Sequence, residues 1–178
     1  PGDTENPGDL AGKLDGLEEM AGLLGSVNTL NDGPVTVDSA DMLKNAIENA
    51  TGETTITLGK DISLSETLTI SDGKTIILDL NEKTLTIETA NKNNSIYGSL
   101  TIKDDSGNGS ITGNYRFAIS KSSSADIGGV LTVESGTLTS SNIYGPIYLT
   151  NAAGTFRMTG GTVNGTRTRG AVHVNAAG

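Results

Sequence analysis

The sequence predicts an all-β solenoid: a parallel β-helix of about five three-stranded coils with an N-terminal capping helix. Three observations carry that prediction. The first is a repeat. Gly154–Gly165 reads GTFRMTGGTVNG, and twenty-five residues earlier Gly129–Ser140 reads GVLTVESGTLTS. Leu131 and Val133 correspond to Phe156 and Met158, Gly136 to Gly161, and Leu138 to Val163; the same offset carries Leu149 to Val174. Self-similarity at a period in the twenties marks a solenoid, where each repeat buries its apolar face against the next.

The second observation is that the register runs backwards along three apolar tracks. One is Ile56/Leu58, Leu78/Leu80, Leu100/Ile102, Leu131/Val133 and Phe156/Met158. Another is Ile62/Leu64, Leu85/Ile87, Ile111, Leu138 and Val163, and the last is Leu68/Ile70, Ile96, Phe117/Ile119, Ile147/Leu149 and Val172/Val174. Short alternating strands put these residues inside and Thr, Ser, Lys or Asp outside. The third observation is the turn chemistry between strands, as in Asn81-Glu82-Lys83 and Asp104-Asp105-Ser106-Gly107-Asn108-Gly109. A sandwich of hairpins would also give short strands. It would not hold three tracks in step over five repeats.

Composition agrees with slim coils. Of 178 residues 24 are Gly and only 3% are aromatic, which suits a narrow core of stacked aliphatic side chains. The formal net charge of −9 argues against nucleic acid and anionic membrane surfaces as partners. Without cysteine there is no disulfide or thiolate metal site, and no apolar run approaches the roughly eighteen residues of a membrane span.

In chain order, residues 1–34 read as a linker followed by a marginal amphipathic helix. Leu10, Leu14, Leu17, Met20, Ala21 and Leu24 fall at helical spacing, but Gly12, Gly16 and Gly22 each weaken a helix by about 1 kcal/mol relative to alanine. Residues 35–52 read as the capping helix. Asp38 or Ser39 can cap it, Leu43, Ala46, Ile47 and Ala50 form its apolar stripe, and Gly52 stops it. Such a helix protects the uncovered first coil from edge pairing. Residues 53–178 read as the β-helix, expected to continue beyond Gly178, since no capping device follows Val174. The last coil and the 10–24 helix are therefore candidates for self-association.

At GTFRMTGGTVNG the chain resembles the repeats of bacterial secreted and cell-surface right-handed β-helix proteins, the pectate-lyase-like fold. Their GTFxMTGGTxxG units precede a GG- or GA-V-x-V strand, here Gly170-Ala171-Val172-His173-Val174. The resemblance covers about residues 38–178. It implies right-handed winding and export to a bacterial surface, while the fold itself hosts lyases, hydrolases, adhesins and ice-binding proteins.

Candidate chemistry is sparse. Asp104-x-Ser106-x-Asn108-Gly109 resembles the first half of a calcium loop, so Asp104, Ser106 and Asn108 are candidate ligands and calcium is the one candidate cofactor. Tyr115 stands where the bidentate acid belongs, and a plain corner explains the same residues. Lyase chemistry in the resembled fold needs several Asp on one sheet and a base. The outward positions of the first track are Thr57, Asp79, Thr101, Thr132 and Arg157, with one acid among them. A hydrolase needs two carboxylates roughly 5–10 Å apart, whereas Asp61, Asp79, Glu82 and Glu134 fall on different coils. His173, between inward valines, points outward and reads as a surface histidine.

The most ordered outward pattern is hydroxylic. On the second track it comprises Thr84, Thr86, Ser110, Thr112, Thr137, Thr139, Thr162 and Asn164, the candidate binding residues. Their spacings are about 4.8 Å between strands and roughly 6.6 Å along them. Thr also suits outward strand positions for its β-branch alone. The resulting expectation is a non-enzymatic bacterial surface module, an adhesin or stalk that presents a β-helix face to host or environmental glycans or proteins. The alternatives are a fragment of a carbohydrate-active lyase or hydrolase with its site in later coils, and an ice-binding face.

Overall fold

A computed structural model describes residues 34–90, 92–121, 128–150 and 153–175. The helix expected over 10–24 lies outside the described residues. The described chain opens with β1 (Val35–Val37) and α1 (Ala40–Asn49). Coil 1 comprises β2 (Glu53–Leu58), β3 (Ile62–Leu64) and β4 (Thr69–Ile70); coil 2 comprises β5 (Thr75–Asp79), β6 (Thr84–Glu88) and β7 (Asn94–Ile96). Coil 3 holds β8 (Ser99–Lys103), β9 (Ser110–Asn114) and β10 (Phe117–Ile119), and coil 4 holds β11 (Val130–Val133), β12 (Thr137–Ser140) and β13 (Ile147–Leu149). Coil 5 holds β14 (Thr155–Met158), β15 (Thr162–Gly165) and β16 (Val172–Val174).

These strands stack into three sheets, β1-β2-β5-β8-β11-β14, β3-β6-β9-β12-β15 and β4-β7-β10-β13-β16. Among the described residues every strand pairing is parallel, for example Ile62↔Leu85 and Leu131↔Phe156. This is the predicted parallel β-solenoid of five coils. Its core is the three apolar tracks, buried from Ile56 through Val133 in the first sheet, Ile62 through Leu138 in the second and Ile70 through Ile147 in the third. Tyr115, which occupies the place of a calcium loop's last acid, lies in this core edge-on to Phe117 with ring centroids 5.2 Å apart. Its hydroxyl donates to Ile111 O at 3.3 Å, and burial pushes its ionisation well above the ordinary phenol range.

Two details differ from the sequence reading. Segment 35–52 opens with a strand, because the alternating Val35-Thr36-Val37 pairs with Ile56-Thr57-Leu58 and extends the first sheet by one rung. The helix occupies only Ala40–Asn49, capped by the Ser39 hydroxyl, which accepts the Met42 N–H at 3.3 Å. Leu43 and Ile47 are its buried residues, and Ile47 faces the same apolar interior as Leu68, Ile70 and Ile76. At its far end Lys74 Nζ donates to Glu48 O at 2.8 Å and Ala50 O at 3.0 Å, satisfying carbonyls that a helix terminus leaves open.

The other difference is register in the first sheet. Leu100 and Ile102 stack on Ile76 and Leu78, not on Leu78 and Leu80. Coil 2 is two residues longer than coil 1, since Leu78 pairs with Ile56 behind it and with Ile102 ahead. Leu80 is buried at the corner instead, where its side chain fills the space beside Gly109 and Gly136. The outward rows are accordingly Thr55-Ile77-Thr101-Thr132-Arg157 and Thr57-Asp79-Lys103.

Coil 5 keeps the register but is open. Met158 stacks beside Val133 yet is 46% exposed, and Val174 beside Leu149 is 57% exposed. Both were expected to be enclosed. An inward side chain is covered only when a coil lies on each side of it, and among the described residues none lies beyond coil 5.

Candidate binding faces

The second sheet assembles the hydroxyl ladder. One row runs Thr84, Ser110, Thr137, Thr162; the next runs Ser63, Thr86, Thr112, with Thr139 and Asn164 paired at its far end. The bond from Ser141 N to Gly113 O at 2.9 Å carries the same offset past Leu138, so Thr139 follows Thr112 in that row. All eight sequence-predicted residues therefore share one outer face. Thr162 and Asn164 are exposed and the other six are half-buried. Part of the ladder is internally bonded: Thr84 Oγ1 lies 3.3 Å from Ser110 Oγ, and Asn164 Nδ2 donates to Thr139 Oγ1 at 3.4 Å.

The corner after β8 holds Asp104, Ser106 and Asn108. Asp104 is 1% exposed and its carboxylate is surrounded by donors of this chain. Oδ1 accepts the Glu82 N–H and Oδ2 the Gly109 N–H, each at 2.8 Å, and the Ser106 hydroxyl approaches both oxygens at 3.2 and 3.0 Å. Its own N–H donates to Ser135 Oγ at 2.6 Å, so the corner is tied to the coils on both sides. Burial pulls the carboxyl upward, but these donations outweigh it and hold it below the ordinary aspartate range. Asn108 stands exposed on the outside of the same corner. Among the described residues no three His, Cys, Asp or Glu side chains come together as a metal-binding group.

On the first sheet Asp79 pairs with Lys103 at 3.4 Å, and Lys103 also meets Asp105 at 3.1 Å. Asp61 is on a different corner, where its Oδ1 takes the Thr84 N–H at 2.7 Å. Asp79 is thus engaged by Lys103 and Asp61 by the Thr84 N–H, each in a local contact.

The third sheet contains a group that sequence reasoning passed over. Tyr148 on β13 lies beside His173 on β16, their rings stacked at 5.5 Å and 15°. Tyr144, in the corner before β13, packs on both at 5.0 and 5.4 Å. Two guanidiniums sit on Tyr144, Arg116 at 4.8 Å and Arg169 at 4.6 Å, and Arg116 also reaches Tyr148 at 5.6 Å. Arg169 Nη1 is 3.0 Å from His173 Nε2. Arginine only donates, so His173 Nε2 is the acceptor in this contact. A signal for this group was in the repeat. The twenty-five-residue offset that aligns Leu149 with Val174 also aligns Tyr148 with His173.

Fold and faces together define a parallel β-solenoid with polar outer sheets, one patterned with hydroxyls and one bearing an aromatic–guanidinium group. No family model matches the chain, no curated protein matches it, and no solved structure does.

Proposed function

We propose that this chain is a non-enzymatic binding module of a bacterial surface, whose β-helix presents its second sheet to a host or environmental glycan. The observation that supports this reading is the pair of in-register rows, Thr84-Ser110-Thr137-Thr162 and Ser63-Thr86-Thr112. A rigid parallel sheet fixes neighbouring hydroxyls of one row about 4.8 Å apart and the two rows roughly 6.6 Å apart, so a polar ligand meets donors and acceptors whose ordering cost is already met by folding. Hydroxyls both donate and accept, which suits the alternating hydroxyls of a sugar chain. Calcium is not needed for this reading. The ice-binding alternative gains less support, because Thr84 and Ser110 contact each other and the second row ends in Asn164 rather than a threonine.

The test is a glycan array followed by titration calorimetry with the best ligand. The double variant Thr112→Val, Thr137→Val keeps β-branched shape and strand propensity while removing two central hydroxyls. Affinity should fall at least tenfold with the melting temperature unchanged, and Thr101→Val on the first sheet should bind as the parent does. Equal affinity of all three proteins would overturn the assignment to this face. Release of shortened sugar products would favour the enzyme reading, and thermal hysteresis the ice-binding one.

A further inference from the structure

We propose that Tyr144, Tyr148 and His173, with Arg116 and Arg169, form a separate site on the third sheet for an anionic saccharide. Its sugar ring would lie against the aromatic surface and its carboxylate or sulfate would take the guanidiniums. The inference does not rest on the hydroxyl ladder, which occupies another sheet.

The charge pattern points to an anion. The chain carries a net −9, yet here two guanidiniums converge on one tyrosine ring, at 4.8 and 4.6 Å from its centroid. Guanidinium forks match carboxylate or sulfate oxygens in paired hydrogen bonds, and an aromatic surface beside them suits a sugar ring. Arg169 is exposed, and its Nη1 contacts His173 Nε2.

The group is held in place before any ligand arrives. Tyr144 stands on a corner fixed by the buried Asn142, whose Oδ1 accepts the Tyr144 N–H at 3.1 Å and whose Nδ2 donates to Asn114 Oδ1 at 3.2 Å. Arg116 Nε donates to Asn93 Oδ1 at 2.5 Å, which anchors it over the tyrosines. Tyr148 and His173 are fixed by strand register. All three rings remain half-exposed. Single-stranded nucleic acid also stacks on aromatics beside arginine. The acidic chain opposes a polyanion with a charge at every step, and a sugar chain with spaced charges avoids much of that repulsion.

Calorimetry on the full chain tests this with four size-matched probes: a uronic-acid oligosaccharide, a sulfated oligosaccharide, a neutral gluco-oligosaccharide and a single-stranded oligodeoxynucleotide. At least one anionic sugar should bind tenfold or more tighter than the neutral one, with affinity falling as salt rises. The first two probes distinguish carboxylate from sulfate. Arg169→Gln, at an exposed position, should weaken the anionic sugar at least tenfold with an unchanged melting curve. Tyr148→Phe should retain binding and Tyr148→Ala should lose it. Thr112→Val, Thr137→Val should leave it intact, which separates this site from the ladder. The proposal is overturned if anionic and neutral sugars bind alike, if no anionic sugar binds, if Arg169→Gln changes nothing, or if the oligodeoxynucleotide alone binds.

Discussion

The carboxylate of Asp104 reaches back to the preceding coil and takes the backbone N–H of Glu82 at 2.8 Å. With its other oxygen it accepts Gly109 N–H, and its own N–H is bound by Ser135 of the following coil. One residue thus ties three successive coils together, its carboxylate to the preceding one and its own N–H to the following one. A residue type chosen by calcium loops for its exposed oxygens serves here as a buried acceptor. Asp104→Ala should leave two backbone donors without partners, at a cost of about 1–3 kcal/mol each. Urea unfolding measures the loss, and a change below about 0.5 kcal/mol would show that water replaces the carboxylate without penalty.

The same staple predicts an acid limb. Asp104 titrates below its unfolded value, so its contribution is present above about pH 4, where the unfolded carboxyl is already ionised, and is lost as pH falls through the lower folded value. Stability measured between pH 5 and 2 should decline, and Asp104→Asn should flatten that decline. An identical slope in both proteins would assign the acid limb to other carboxylates.

Register in the first sheet can be tested by truncation. Leu100 is buried between Ile76 and Leu131, whereas Ile77 stands in the outward row with Thr55 and Thr101. Leu100→Ala should cost about 2–5 kcal/mol, as buried leucines do. Ile77→Thr should stay within about 1 kcal/mol. Reversed magnitudes would place the wrong residue inside.

Gly98 joins the third sheet to the first through a two-residue corner, where coil 1 uses Ser71–Lys74. A Cβ at Gly98 would fall 2.3 Å from Ser71 O and 2.5 Å from Lys74 O, both backbone atoms that cannot turn aside. Gly98→Ala should therefore destabilise by about 1–3 kcal/mol. A melting temperature equal to the parent's would mean that the corner yields more readily than its backbone contacts imply.

Much of the architecture was legible because side-chain direction alternates with a period of two. Leu131/Val133 and Phe156/Met158 could be aligned from the repeat alone, and the structure pairs them so. The same alternation put Thr137 and Thr162 on one outer face. Leu78/Leu80 and Leu100/Ile102 were misaligned because both are apolar alternating pairs. A pattern that repeats every two residues cannot detect a slip of two.

The sequence by itself therefore determined the inside and outside of each strand, the number of coils and the sheet that carries the hydroxyls. All of these depend on local alternation and on a repeat readable along one chain. Only the tertiary structure decided the lengths of the coils, the strand at Val35–Val37, the inward turn of Asp104 and the meeting of Arg116 and Arg169 over Tyr144. These rest on contacts between distant residues at corners, such as Asn142 Nδ2 donating to Ala90 O from 52 residues away. Corner conformation follows from which backbone donors the neighbouring coils leave to be satisfied, and that is known only once the coils are stacked.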